Sequence, residues 1–330
     1  MAAASSATQI TNTHDRRRTT TCPRANKYRD MRVLSLICLP PSTERCRTKT
    51  LSDIFIIFDV IVNTGGSRWP RSACGSPYPQ GLGASTHKRP DASFGFLHNA
   101  VRTHDCRGRN LVLCARRVER LERLRTDLLR SHPGITVTVA QLDVNDHDQV
   151  FAVFRGFERE LGGIDRVIVN AGMGKGQPIG TGHFDANLRT ANTNFIAALA
   201  QCEAAMEIFH TQNHGHLVMV SSISALRGLP GFMSIYSATK AGAAALAEGI
   251  RADTLASPIT VTTLYPGYIE SELSARATKS PLMSSTEKGV RAMVKAIEHE
   301  AAEAKVPTWP WIALGFALRY LPLRLVAKMS

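Results

Sequence analysis

Tyr236 and Lys240 are the residues of this sequence whose types and spacing best suit chemistry. They stand four positions apart in the run Tyr-Ser-Ala-Thr-Lys, so on a helix they share one face. A free tyrosine has a pKa of roughly 10 and exchanges protons poorly at neutral pH unless a nearby positive charge stabilises the phenolate. Lys240 can supply that charge. The pair predicts a helix-borne general acid, although a solvated helical pair has the same spacing.

Three apolar runs around this pair have the pattern of buried strands, and each leads into residues of special type. The runs and their endings are 164–169 before Asn170-Ala171-Gly172, 216–221 before Ser222, and 259–264 before Pro266-Gly267. The carboxyl ends of strands are where open parallel sheets place their ligands. We therefore expect these endings to lie on one edge of a sheet.

In this order, Asn-Ala-Gly, serine, Tyr-x-x-x-Lys and Pro-Gly make the chain resemble the short-chain dehydrogenase/reductase family, from about residue 110 to about residue 300. The resemblance implies an α/β fold with a doubly wound, Rossmann-like parallel sheet. It also implies hydride transfer between a nicotinamide cofactor and an alcohol, ketone or aldehyde.

Strands alternate regularly with helices from Asn110 onward, which is typical of a parallel, doubly wound sheet. The predicted strands are 110–115, 135–142, 164–169, 216–221 and 259–264, and the predicted helices are 117–130, 146–161, 184–210, 234–256 and 285–301. An apolar run at 54–62 is the candidate for the first strand, beside 110–115. We divide the chain into a disordered basic extension (1–50), one catalytic domain (51–305, with 51–109 atypical) and an apolar, aromatic C-terminal segment (306–330).

The resemblance implies roles for the residues of the acid/base pair and for a serine. Tyr236 would donate the proton, and Lys240, together with the oxidised nicotinamide, would lower the phenol pKa and hold the nicotinamide ribose. Ser222 would bind the substrate oxygen. Ser221, one residue earlier, is the alternative because Ser222 lies fourteen residues before Tyr236, where the family usually has thirteen.

An asparagine on the predicted helix 184–210 completes the catalytic tetrad. Asn194 matches the family's helix asparagine, which would hold a water for a proton relay through Lys240. Asn192 stands two residues earlier and remains an alternative from sequence alone.

The phosphate-binding part of the resemblance is interrupted. Thr64-Gly65 and Gly81-Leu82-Gly83 carry the two halves of the family's glycine motif, but fifteen residues separate Gly65 from Gly81. Either an insertion loops out and leaves the phosphate site intact, or residues 1–109 are not native family sequence and the loop is missing. We favour the second interpretation.

Other cofactor signals follow the predicted strands. Arg116 and Arg117 stand where an acidic residue would bind a ribose 2′-hydroxyl, and arginine suits a 2′-phosphate instead, so NADP is expected rather than NAD. The alternative is two arginines in the first turn of an exposed helix. Asp143 would meet adenine or, alternatively, cap the next helix. The backbone of 170–172 is assigned to the cofactor ribose, and Pro266-Gly267 to the nicotinamide.

Composition narrows the class of protein and its location. The net charge is +13, and residues 1–108 carry 16 of the 40 Lys/Arg but only 7 of the 27 Asp/Glu. We expect a solvated segment there and no nucleic-acid partner. Five of the seven cysteines lie in the same part without metal-ligand spacing, so we expect no metal site and no disulfide framework. With no secretory signal and no membrane span predicted, the cytoplasm is the expected location.

Two further regions suggest partners. Residues 268–284, the expected substrate flap with Ser271 in the family's usual threonine position, mix apolar side chains with charges and favour a moderately apolar small molecule. Residues 306–326 combine tryptophan, tyrosine and spaced arginines, which suits peripheral contact with a membrane. Packing over the substrate pocket or against a second subunit of a homo-oligomer is the favoured alternative. A catalytically silent binding protein with a disrupted phosphate loop is the rival to the enzyme.

Overall fold

The structure is a computed structural model that describes residues 54–59, 110–174, 176–269 and 283–328, the first of these as backbone only. Its strands form one sheet in the order β3-β2-β1-β4-β5-β6-β7, and every neighbouring pair is parallel. The strands are β1 (Ile54–Asp59), β2 (Asn110–Ala115), β3 (Val137–Gln141), β4 (Arg166–Val169), β5 (Gly215–Val220), β6 (Ile259–Pro266) and β7 (Glu303–Val306).

Helices connect the strands and cover both faces of the sheet, as the predicted doubly wound fold requires. They are α1 (Val118–Ser131), α2 (His147–Leu161), α3 (Phe184–Ala191), a π-helical turn (Asn192–Ile196), α4 (Ala197–Gln212), a 3₁₀ turn (Ile223–Leu226), α5 (Met233–Asp253), α6 (Thr286–Glu298), α7 (Thr308–Tyr320) and α8 (Leu323–Val326). The predicted fold class is thereby confirmed.

The apolar run at 54–62 takes the first-strand position expected of it. Its first six residues form β1, which pairs with β2 on one side and with β4 on the other. This placement puts the switch in strand order, where such sheets bind ligands, between β1 and β4. The predicted phosphate-loop residues Thr64, Gly65, Gly81 and Gly83 lie outside the described residues, as does the proposed extension 1–50.

Alternation along the strands divides the core into two layers. In β2, Val112 and Cys114 point to a layer that includes Phe154 of α2 and Phe209 of α4. Leu113 points to the other layer, with residues of α1 and α6. Because each face of the sheet is covered by helices, the strands read as continuous apolar runs in the sequence.

Capping residues set the start of two helices. Asp146 caps α2 by accepting a hydrogen bond from the Gln149 amide at 3.0 Å, and Ser285 caps α6 in the same way. Gly162 ends α2 in the left-handed conformation that glycine adopts without strain. These are local signals, and they explain why the predicted bounds of both helices begin within one residue of the observed ones.

Several elements differ from the sequence-based bounds. The predicted helix 184–210 is interrupted by the π-helical turn, and β6 continues two residues further, to Pro266. β7 and α7 were not predicted. β7 has only four residues with little burial pattern, so its apolar signal is weak; it is ordered by its pairing with β6.

The described part of the chain contains no helix that combines the length and the hydropathy needed to cross a bilayer. Within the same residues there is no group of three or more His, Cys, Asp or Glu placed to bind a metal ion. Cys114 and Cys202 are both buried free thiols.

Candidate active site

The carboxyl ends of the parallel strands bring most of the described candidate residues to one edge of the sheet. Arg116 follows β2, and Asp143 lies two residues beyond β3. Residues 170–172 follow β4, Ser222 lies just beyond β5, and Gly267 follows β6. Helix α5 and the π-helical turn then supply the remaining candidates to this edge.

Tyr236 lies in the first turn of α5, and its side chain makes a hydrogen bond with Ser222. Burial raises the pKa of Tyr236 above its ordinary value of 10.0; the Ser222 hydrogen bond lowers it in part, and nearby Tyr268 adds to the rise. The phenol is therefore protonated at neutral pH and suited to donate a proton.

Lys240 lies one helical turn after Tyr236, and it is almost fully buried. Its Nζ donates a hydrogen bond to the backbone carbonyl of Val220, at the end of β5, at 2.8 Å. Burial lowers the pKa of Lys240 to about 8. Among the influences from the chain itself, burial has the largest effect on the phenol and raises its pKa. The expected lowering of the Tyr236 pKa by Lys240 together with the oxidised nicotinamide stays a prediction.

The two serines after β5 have different surroundings. Ser221 is buried, and its hydroxyl donates to the backbone carbonyl of Lys240 at 2.7 Å, which ties α5 to the strand end. Ser222 is half-buried, and its oxygen accepts from the Ser224 hydroxyl at 3.0 Å. Since only Ser222 is hydrogen-bonded to Tyr236, the geometry favours it over Ser221 as the serine of the site.

Asn194 is buried within the π-helical turn, whereas Asn192 is exposed. The Asn194 side chain accepts from the Met173 amide at 2.7 Å and donates to the Met173 carbonyl at 2.9 Å. It also donates to Thr239 Oγ1 at 3.2 Å. Asn194 thus clamps the turn after β4 against α5, and π-helical turns of this kind are frequent at functional sites.

Gly172 brings these groups together. A side chain at this position would place its Cβ 3.2 Å from Lys240 Nζ and 3.5 Å from Asn194 Oδ1. The missing side chain therefore leaves the backbone of the turn close to both groups. Asn170 is half-buried and Ala171 buried, so the turn is anchored on one side and partly accessible on the other.

The residues expected at the adenosine end of a cofactor follow β2 and β3. Arg116 and Arg117 lie between β2 and α1, both half-buried, and the Arg116 carbonyl accepts from Gln141 Nε2 at 3.3 Å. The Asp143 carboxylate accepts from the backbone and side chain of Asn145, both at 3.0 Å. Since Asp146 caps α2, the alternative reading of Asp143 as that cap is wrong.

Pro266-Gly267 lies against a residue that the motif search did not include. Trp311 of α7 is buried, and its indole ring would overlap any side chain placed at Gly267. The ring packs edge to face on Tyr268, with centroids 5.2 Å apart. Tyr268 follows directly after Pro266-Gly267 at the end of β6, and this position could have identified it as a residue of the site. Trp311 lies 44 residues after Gly267 along the chain, and no local sequence pattern connects it to the site. Ser271 lies outside the described residues.

Comparisons with known proteins identify the family of the chain. Residues 92–282 match the family model described as short chain dehydrogenase. An uncharacterized oxidoreductase of Mycobacterium tuberculosis is 46% identical over 239 residues, which cover 72% of this chain and 94% of that protein. An NADP-dependent 3-hydroxy acid dehydrogenase of Schizosaccharomyces pombe is 29% identical over 165 residues, covering 50% of this chain and 63% of that protein.

The fold has relatives among solved structures. The crystal structure of levodione reductase superposes with a TM-score of 0.61 at 19% identity, covering 79% of this chain and 98% of that one. At this identity the likeness concerns the fold alone.

Proposed function

The chain belongs to the short-chain dehydrogenase family of oxidoreductases, and we propose on that basis that it is an NADP-dependent enzyme that interconverts an alcohol with a ketone or aldehyde. The observation that carries the proposal is the hydrogen bond between Tyr236 and Ser222 at the strand edge where Lys240 and Asn194 also meet. A protonated phenol beside a hydroxyl suits a carbonyl oxygen that must be polarised and then protonated.

Gly172 provides a test of whether a nicotinamide nucleotide fits. Its bare backbone leaves room beside Lys240 Nζ, where an ammonium can bind ribose hydroxyls. We propose that Lys240 and the 170–172 turn hold the nicotinamide ribose, and that Gly267 lies against the nicotinamide. When bound, the cofactor supplies or accepts the hydride.

The residues of the chain would act in the following way during carbonyl reduction. Ser222 donates a hydrogen bond to the substrate oxygen, and Tyr236 gives its proton to the same atom. The resulting phenolate is stabilised by Lys240, whose pKa of about 8 suits it to pass on a proton near neutral pH. Asn194 Oδ1, which lies close to Gly172, would hold the water that resupplies the relay.

We propose NADP rather than NAD because Arg116 and Arg117 follow β2 with no acidic residue between the strand and α1. Guanidinium groups bind a 2′-phosphate with two parallel hydrogen bonds, whereas a 2′-hydroxyl is bound by a carboxylate. The name of the Schizosaccharomyces pombe relative is consistent with this choice. Asp143 keeps its proposed contact with adenine. Thr64, Gly65, Gly81 and Gly83 would contact the pyrophosphate under the less favoured interpretation, in which the insertion loops out and leaves the phosphate site intact.

The experiment is a fluorescence titration of the full chain with NADPH and NADH, followed by assays of NADPH consumption with a panel of apolar ketones and aldehydes. NADPH should bind more tightly. The double variant Arg116→Asp with Arg117→Ser should shift the ratio of the two affinities toward NADH by at least about tenfold, as expected for loss of a charge-assisted contact. Binding of neither nucleotide would favour the silent binding protein instead.

A matched pair of tyrosine variants tests the acid. Tyr236→Phe should abolish turnover and leave NADPH affinity nearly unchanged, because only the transferable proton is removed. Tyr265→Phe removes a hydroxyl from β6, from a ring that lies 5.5 Å from Lys305 Nζ, and should keep activity. Turnover by the Tyr236 variant would assign the proton to another group.

Location and assembly are part of the proposal. We propose a cytoplasmic enzyme that assembles as a homo-oligomer and acts on a moderately apolar small molecule, without a nucleic-acid partner. Analytical ultracentrifugation of the purified chain measures the assembly, and fractionation of cells that express it measures the location.

A further inference from the structure

The C-terminal helices α7 and α8 have two unlike sides. On the inner side, Trp311 and Leu318 are buried against Ile223, and Gly315 lies against Leu226 and Ile223. The outer side carries large apolar side chains that are 47–76% exposed, namely Trp309, Ile312, Phe316, Tyr320, Leu323 and Leu325. We call these six residues the docking face.

The docking face is continuous along α7. Ile312, Phe316 and Tyr320 are four residues apart, so they follow one another along one side of α7. The rings of Phe316 and Tyr320 lie in contact, with centroids 4.6 Å apart. Leu323 and Leu325 are the next exposed large apolar residues along the chain. Scattered exposed apolar residues are ordinary, whereas a contiguous aromatic patch of this size marks an interaction site.

The charged side chains of α7, of α8 and of residue 328 all have one sign. Arg319, Arg324 and Lys328 are exposed beside or just after the apolar residues. From residue 304 to the last residue of the sequence there is no Asp or Glu. The tryptophan, tyrosine, aliphatic side chains and cations of this segment are complementary to the interface of a membrane with anionic headgroups. A second copy facing it would bring like charges together.

We propose that the docking face binds the surface of a membrane that contains anionic lipid, with the aromatic and aliphatic side chains at the headgroup boundary and the three cations on lipid phosphates and carboxylates. The proposal rests on these residues and not on the oxidoreductase activity. It goes beyond that activity because it assigns the chain a partner.

The docking face is fixed relative to the active site. Arg227, which follows the 3₁₀ turn after Ser222, donates from Nη2 to the Leu321 carbonyl at 3.3 Å and so holds the end of α7. On the opposite side of α7, Trp311 lies against Gly267. One helix diameter, roughly 10 Å, therefore separates the docked surface from the substrate side of the sheet.

Vesicle sedimentation of the full chain tests the proposal. The probes are vesicles of phosphatidylcholine alone and vesicles of phosphatidylcholine with phosphatidylserine. The chain should sediment with the second and bind the first at least about tenfold more weakly, because each cation near an anionic surface contributes to binding. High salt should release it.

Two variants with matched controls locate the contact. Phe316→Ser with Tyr320→Ser should weaken binding to the anionic vesicles at least about tenfold, whereas Leu255→Ser, an equally exposed apolar residue after α5, should not. Arg324→Glu with Lys328→Glu should also weaken it, whereas Lys288→Glu on α6 should not. All these side chains are exposed, so the variants should fold, and thermal unfolding checks this.

Tryptophan fluorescence gives a second readout. In a Trp69→Phe background, which leaves two of the three tryptophans, emission should shift to shorter wavelength when anionic vesicles are added. Trp309→Phe in that background should remove the shift, because Trp309 is exposed and Trp311 is already buried. The proposal is overturned if the wild-type chain stays in solution with both vesicles, or if binding survives both variants. It is also overturned if ultracentrifugation shows a dimer that Phe316→Ser with Tyr320→Ser dissociates and no vesicle binding is seen, because the face then pairs with a second copy.

Discussion

A buried cation lies at the amino ends of the strands and another at their carboxyl ends, and the two cations differ in the groups that bind them. At the amino edge, Arg166 of β4 binds Glu298 at 2.8 Å and Glu300 at 3.6 Å. At the carboxyl edge, Lys240 donates to a neutral carbonyl at 2.8 Å, and burial lowers its pKa to about 8. A buried cation with carboxylate partners supports the fold, whereas one held by a carbonyl is poised to release a proton.

A histidine completes the network at the amino edge. Arg166 Nε donates to His216 Nδ1 at 2.8 Å, so the other ring nitrogen carries the hydrogen and donates to Thr262 Oγ1 at 2.8 Å. Burial and the neighbouring guanidinium lower the pKa of His216 to about 3. The network links β4, β5 and β6 to the end of α6, so its role is to hold the strands in place.

Among the variants that test this comparison of the two cations, Lys240→Met should cause the largest loss of activity. Turnover should fall by about 10²–10⁴-fold, the usual contribution of a group that handles the proton. The free energy of unfolding should stay the same or rise, because an apolar side chain of similar length replaces a buried charge without a carboxylate partner. Steady-state kinetics and urea unfolding measure the two quantities.

Lys240→Arg is the control for charge. It keeps a cation with a higher pKa, so any decline of the reduction rate near pH 8 in the wild type should move to higher pH. Equal loss of stability and activity in Lys240→Met would contradict the comparison, since Lys240 would then be structural.

Arg166→Met should have the opposite profile. Removing the cation leaves Glu298 partly buried and His216 without its donor, which should cost roughly 3 kcal/mol of unfolding free energy, at the low end for a buried pair because Glu298 is partly exposed. Turnover per folded molecule should change little at a temperature where the variant is folded. Urea unfolding measures the loss of stability, and kinetics corrected for the folded fraction measure the turnover. An Arg166→Met variant that is stable but inactive would contradict the structural role of Arg166.

The pH dependence of stability should report on His216. Folding lowers the pKa of His216 from 6.5 to about 3. Between these pH values the imidazole is therefore protonated in the unfolded chain and neutral in the folded one. The stabilisation is complete above pH 6.5 and is lost as the pH falls toward 3, with a slope of up to about 1.4 kcal/mol per pH unit from this residue. Measurements of the unfolding free energy at several pH values should show this slope. The variant His216→Gln should lack the part of the slope that corresponds to the uptake of one proton on unfolding.

The smallest expected effect separates the two serines at the end of β5. Ser221→Ala removes a hydrogen bond to the Lys240 carbonyl and should cost about 1 kcal/mol of stability with modest loss of activity. Compared with Ser221→Ala, Ser222→Ala should lose less stability but more activity, because the Ser222 hydroxyl is hydrogen-bonded to Tyr236. Thermal unfolding and kinetics of both variants give the comparison, and the reverse pattern would assign the site serine to Ser221.

The alternation of strands and helices from Asn110 onward was predictable because both faces of the sheet are covered, so each strand is an uninterrupted apolar run. Helix bounds were predicted where a cap is local, as with Asp146. The interruption of the long helix at 192–196 was not, since a π-helical turn has no residue pattern of its own. β7 was missed because its partner β6 is distant in sequence. The helix α7 was not assigned either, although packing of 306–326 over the substrate pocket was one of the favoured alternatives.

The order of motifs along the chain determined the family, and with it the prediction that Tyr236, Lys240, a serine and an asparagine form one site. The choice between neighbours was decided by tertiary structure. Ser221 and Ser222 differ by one position and are chemically identical, yet the strand end turns one hydroxyl to the Lys240 carbonyl and the other to Tyr236.

Proton affinities were likewise decided by tertiary structure. The sequence predicts that Lys240, together with the oxidised nicotinamide, lowers the pKa of Tyr236. Within the chain itself, burial raises the pKa of Tyr236 and lowers that of Lys240. The physical reason is that burial acts on each group through everything packed around it, including Tyr268 from the next strand end, and spacing along one helix contains none of that information.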